Sequence, residues 1–174
     1  MKGGCQMDVL EAMKGSSSIR KYTQEPLSGE QVMQILEAGR WAPSRGNSQG
    51  WKFIVLKNAQ GLKDLGEAIP PGKFLAEAPL GIAVVINSKV SKHPEQEGAA
   101  AIQNMLLAAH ALGVGACWIS VRSTESEEKA RQLLQIPDEE WLLSVVSIGH
   151  PAETPEKGRK ELDEITFTDK YGLR

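Results

Sequence analysis

The chain has 174 residues, with 20 Lys plus Arg against 22 Asp plus Glu, a net charge of -2 and 41% hydrophobic residues. That length suits one domain with a substantial core, and the charge gives no electrostatic reason for nucleic acid or an anionic membrane as partner. No apolar run approaches the roughly 20 residues that span a bilayer; the two cysteines, Cys5 and Cys117, argue against a disulfide framework and, with an N-terminus that lacks the apolar core of a secretory signal, predict a cytoplasmic protein.

Val9, Leu10 and Met13 predict a short first helix ending near Gly15. In "LSGEQVMQILEAGRWAP", Ser28 and Gln31 form a capping box, Val32, Ile35, Leu36 and Gly39 the inward stripe, and Pro43 the stop. "WKFIVLK" reads as a strand rich in aromatic and β-branched residues. Leu62, Leu65 and Ile69 predict another short helix, closed by Pro70-Pro71-Gly72. "PLGIAVVIN" is a strand whose nearly unbroken apolar run fits a position covered on both faces.

From Glu95 to Leu112 runs the longest helical pattern, with Gly113 as its C-terminal cap. It is apolar almost all the way round, which predicts a central helix buried between other elements or against a second subunit. "VGACWISV" is a third strand, Thr124 with Glu127 opens a further helix before Pro137, and "WLLSVVSIG" is the fourth strand. After Pro151 the chain turns polar and extended. Residues 1–174 therefore read as a single α/β layered domain with 151–174 as an extended C-terminal arm.

Side-chain catalysis leaves little trace. Of three histidines, His93 falls in a charged loop, His110 on the buried helix, where a packed, hydrogen-bonded core residue is expected, and His150 at a strand end. No GxSxG elbow, HExxH, P-loop or helix-opening GxGxxG occurs, and no metal cluster is indicated. If the protein is an enzyme, its chemistry belongs to a bound cofactor. Four segments carry suitable groups. "GSSSIRKY" is hydroxyl-rich and includes Arg20, while "APSRGNSQ" is either an ordinary polar turn or a cradle for a flat polar ligand. "CWISV" ends a strand where backbone groups fall free, and "EKGRK" sets Lys157 and Arg159 at i and i+2 in an extended arm.

Taken in order, "SIRKY", "APSRGNSQGWKFIVL", "AAAIQNMLLAAHALGVGACWI" and "SIGHPAETPEKGRKELDEI" resemble the flavin-dependent nitroreductase family over nearly the whole chain. The resemblance implies an α+β fold in α/β/α layers, a mixed central sheet wrapped by helices, and a homodimer with exchanged C-terminal arms. It implies FMN at the subunit interface, NADH or NADPH as co-substrate, and a small-molecule electron acceptor such as a nitroaromatic or quinone, served by a ping-pong cycle. Lys157 and Arg159 match the family's basic pair at the FMN phosphate. Alone, "KGRK" would read as a solvated charge run. Arg20 matches the cation near the flavin pyrimidine, and Ser18 a serine on the ribityl or phosphate oxygens. Pro43, Ser44, Asn47 and Gln49 match the loop reaching the flavin from the neighbouring subunit. Ile119, Ser120 and Val121 match the strand end whose backbone approaches flavin N5. Trp51 and Trp118 are expected in the core, and Cys117 as a buried strand residue.

Relatives carry one or two arginines where this chain has Ser16 and Ser17. Those two hydroxyls are expected to bind the cofactor more weakly. The departure leaves room for a second reading, a flavin carrier or regulator with little turnover, and a third, a cofactor-free interaction domain.

Overall fold

The computed structural model describes residues 7–173; Cys5 lies outside the described residues. Helix α1 (Val9–Gly15) opens on a capping box of Asp8 and Glu11 that the apolar pattern did not announce. Only Ala12 of this helix is buried, and Val9, Leu10 and Met13, the residues that predict it, are all more than half exposed. Helix α2 (Gly29–Arg40) has the expected capping box, with the Gln31 N–H donating to Ser28 Oγ and the Ser28 N–H to Gln31 Oε1. Val32, Ile35 and Gly39 are its buried positions.

Strand β1 (Trp51–Leu56), helix α3 (Ala59–Ala68), a 3₁₀ segment (Pro70–Glu77) and strand β2 (Leu80–Asn87) follow. Every residue of β2 except its last is buried, as its unbroken apolar run requires. Helix α4 (Pro94–Ala111) ends where Gly113 takes φ +71°, a left-handed turn that costs glycine nothing. Strand β3 (Gly115–Ser120), helix α5 (Glu127–Leu133), strand β4 (Glu140–Gly149) and one helical turn, α6 (Leu162–Ile165), complete the chain.

Helix α5 starts later than the Thr124 cap predicts. The Thr124 hydroxyl donates to the Val121 carbonyl, closing a turn instead, while Glu127 is held by Arg122 and the Ser123 N–H.

The sheet order is β1-β2-β4-β3, and all three strand pairs are antiparallel. The mixed character enters at its edge, where Ser18 forms a single parallel bridge with Ala116 of β3. One face of the sheet carries Ile82, Val84, Val146 and Ile148 against α2 and α4, through Val32, Ile35, Ile102 and Met105. The other carries Ala83, Val85, Leu142 and Val145 against α3, the 3₁₀ segment and α5. Helix, sheet and helix thus form the three layers predicted. Trp51 is buried, and Trp118 is half-buried with Nε1–H donating to Ser144 Oγ at 2.7 Å.

The arm runs extended from Pro151, with the α6 turn its only helix among the described residues. Leu162 is 74% exposed and Ile165 58%. Phe167 and Tyr171 pack against each other in a tilted arrangement, ring centroids 4.7 Å apart.

Candidate functional site

Segment 16–23 is pinned between two neighbours. On one side the Ile19 N–H donates to the Ala116 carbonyl (3.0 Å), beside the Ser18–Ala116 bridge. On the other, Tyr22 bridges Pro151, the Thr23 N–H donates to His150, and the Ala152 N–H donates to Lys21. Gly115 permits the first contact, since a Cβ there would lie 2.9 Å from Ile19 Cβ. Tyr22 locks the segment from below. Its hydroxyl donates to the Ile19 carbonyl (2.5 Å), so Ser147 Oγ, at 2.6 Å, must donate to it. Burial pushes the Tyr22 pKa up, the Ser147 bond lowering it only in part, so the phenol stays protonated and structural.

The segment and the arm enclose a cavity of about 400 Å³. Ser16, Ser17, Ser18, Arg20, Lys157 and Arg159 line it, joined by Met13, Gln103, Leu106 and Ala116. Six predicted site residues from opposite ends of the chain therefore meet in one hollow. Lys157 reaches across to it, its ammonium donating to the Ser16 carbonyl at 2.6 Å. Among the described residues neither Arg20, Lys157 nor Arg159 forms a salt bridge. Glu156 also lines the cavity but pairs with none of the three cations among the described residues, so three cations and three hydroxyls remain to suit a polar anion. An adjoining cavity of about 310 Å³ shares Ser16 and Ser17 and adds His110 and Glu153. His110 is half-buried at this wall instead of in the core, and among the described residues its side chain makes no hydrogen bond.

The other predicted residues lie elsewhere. Pro43 and Ser44 line a separate hollow of about 250 Å³ with Arg45, His93 and Glu97. Asn47 and Gln49 are exposed beside it, at φ +57° and +49°, with Gly46 at +61° between the same turns. That strained loop is held by Glu97, a residue the sequence reading passed over. Its carboxylate, 4% exposed, accepts from the Arg45 N–H (3.0 Å), Ser48 Oγ (3.0 Å) and Ser91 Oγ (2.5 Å). Burial raises its pKa, but these bonds and the nearby His93 more than offset that and leave it lowered. Ile119 and Val121 are core residues on the α3–α5 face, and Ser120 is exposed. None of the three lines the cationic cavity; β3 contributes Ala116 there. Cys117 is buried, and burial pushes its thiol pKa up despite Arg20 nearby. Gln103 was also missed. A polar side chain inside the apolar run "AAIQNMLLAA" was the available signal.

The family model for the nitroreductase family matches residues 13–86 and 70–150. The chain belongs to the nitroreductase family. A provisionally named NADH dehydrogenase/NAD(P)H nitroreductase of Archaeoglobus fulgidus is 41% identical over 162 residues, covering 90% of this chain and 92% of that protein. A similarly named structure from Bacteroides thetaiotaomicron superposes with a TM-score of 0.90 at 28% identity, covering 98% of this chain and 100% of its own. A provisionally assigned nitroreductase of Desulfovibrio desulfuricans, solved in complex with FMN, gives a TM-score of 0.82 at 34% identity over 95% of this chain and 98% of that one. The nitroreductase fold expected from the sequence is the fold found, and these likenesses make the chain a nitroreductase-type oxidoreductase. Among the described residues no helix is long and apolar enough to cross a membrane.

Proposed function

We propose that this chain is an FMN-dependent NAD(P)H oxidoreductase that reduces a nitroaromatic, quinone or similar acceptor in a ping-pong cycle. One observation carries the reading: Ser16, Ser17, Ser18, Arg20, Lys157 and Arg159 converge on one cavity. The donor set fits FMN, whose dianionic phosphate and polar ring edge need cations and hydrogen-bond donors. Bound FMN would supply the redox chemistry, accepting hydride from nicotinamide and passing two electrons on.

Within that reading Lys157 and Arg159 hold the phosphate, with the serine hydroxyls as further donors. Arg20 provides a fixed cation toward the ring, stabilising negative charge there. The loop of Pro43, Ser44, Asn47 and Gln49 serves the cavity of the neighbouring subunit, and the strand end Ile119–Val121 contributes backbone groups. Its distance from its own chain's cavity supports a site shared between two copies. The domain then comprises residues 1–174, with arm 151–174 exchanged in a homodimer.

The test is the visible spectrum of the purified protein. Flavin absorbance that bleaches on anaerobic addition of NADH or NADPH, and returns on adding a quinone, is the expected result. A colourless protein that takes up no FMN rejects the reading, and bound flavin that no nicotinamide bleaches supports the carrier reading instead.

A further inference from the structure

Arg20 lies where segment 16–23 changes partners. Ser18 and Ile19 pair with β3, whereas Tyr22 and Thr23 pair with residues 150 and 151. Between them the N–H groups of Arg20 and Lys21 have no strand to bond. Both are taken by one carboxylate oxygen, Glu153 Oε1, at 2.7 and 3.2 Å. Glu153 is half-buried and also lines the cavity next to the cationic one. The carboxylate is occupied by backbone, and Arg20 forms no ion pair with it among the described residues. The guanidinium of Arg20 rests 5.9 Å from the centre of the Phe74 ring, free to meet an anion. Glu153 is also only four residues before Lys157, which bonds back to Ser16. One side chain thus ties the segment that bears Arg20 to the arm that bears Lys157 and Arg159.

We propose that Glu153 is a positioning residue for the cofactor: it clamps the Arg20–Lys21 backbone, aims Arg20, and sets the register in which the arm's basic pair reaches the cavity. The inference rests on the FMN reading above. It runs against simple Coulomb reasoning, in which a carboxylate beside an anion site repels the anion and its removal tightens binding. Clamping predicts the reverse for a truncated side chain, and little change for an amide, whose Oε1 still accepts from both N–H groups.

The test is titration of the full-length apoprotein with FMN, followed by flavin fluorescence, for the unaltered chain, Glu153→Ala and Glu153→Gln. The midpoint potential of bound flavin is measured alongside, and thermal melts confirm folding. Glu153→Ala should weaken FMN binding roughly 10-fold and make the potential more negative, the same direction expected of Arg20→Ala; Glu153→Gln should stay within about 3-fold of the unaltered chain in affinity, with its potential unmoved. Tighter or unchanged binding by Glu153→Ala, or equal losses in both variants, overturns the proposal. Should Glu153→Ala fail to fold, the glutamine variant still decides, since a 10-fold change in either direction contradicts clamping. If the unaltered chain takes up no FMN, the functional reading itself falls, which separates the two failures.

Discussion

Glu97 and Ser16 show how a single side chain sets local behaviour. Three donors converge on the buried Glu97 carboxylate, and truncation strands all of them. Glu97→Ala should cost about 3 kcal/mol, read by chemical denaturation, because orphaned donors lose both their partner and their solvation. Its folded pKa is lowered from 4.5. The stability it contributes is therefore complete above that ordinary carboxylate value and declines as pH falls through the folded pKa. Glu97→Gln should flatten that acid limb, and a denaturation midpoint that keeps its full acid dependence in the variant would assign the effect to other carboxylates. Ser16 lines the cationic cavity. A charge-assisted bond to phosphate is worth about 1.5–3 kcal/mol, so Ser16→Arg should tighten FMN binding roughly 10-fold or more by fluorescence titration.

At the level of elements, the edge of β3 decides whether a site exists. Segment 16–23 has no sheet of its own; it is held by one parallel bridge and one amide bond to Ala116, and Gly115 gives it room. A methyl at 115 would sit 2.9 Å from Ile19 Cβ, a branch point that cannot swing away. Gly115→Ala should therefore destabilise by about 1–3 kcal/mol in denaturant melts and loosen FMN binding together with it, since the displaced segment carries Ser18 and Arg20. Retained affinity with lost stability would separate the edge pairing from the site.

Across the whole molecule the apolar surface is unevenly spread. Val9, Leu10 and Met13 on α1, Met33 on α2, and Leu162, Ile165 and Tyr171 on the arm are all exposed. Under the shared-site reading these exposed apolar side chains would be covered by the partner subunit. A second copy of the chain is the partner that the shared-site reading requires, and sedimentation should give a dimer. Ile165→Asp, which puts a charge among those residues, should shift it toward monomer and release FMN in parallel. A monomer that keeps stoichiometric FMN would refute the shared site.

Local patterning in the chain was enough to indicate helices α1 to α5, the four strands and the layered architecture, whereas the roles of the cationic and hydroxyl groups of the cavity came from resemblance to the family. Capping boxes, period and apolar runs act between near neighbours, so the Ser28–Gln31 cap, the Gly113 stop and the buried β2 were readable in the order of residues. Only the tertiary structure decided which ends of the chain meet. Lys157 bonds Ser16 across 141 positions and Glu153 bonds Arg20 across 133, distances at which composition and spacing carry no signal. It also turned Glu97 from an unremarked acid on an apolar helix into the clamp of a strained loop. A carboxylate's role depends on the donors that folding brings to it, and all five hydrogen-bond partners of these two acids are backbone N–H or serine hydroxyl groups that no pattern distinguishes.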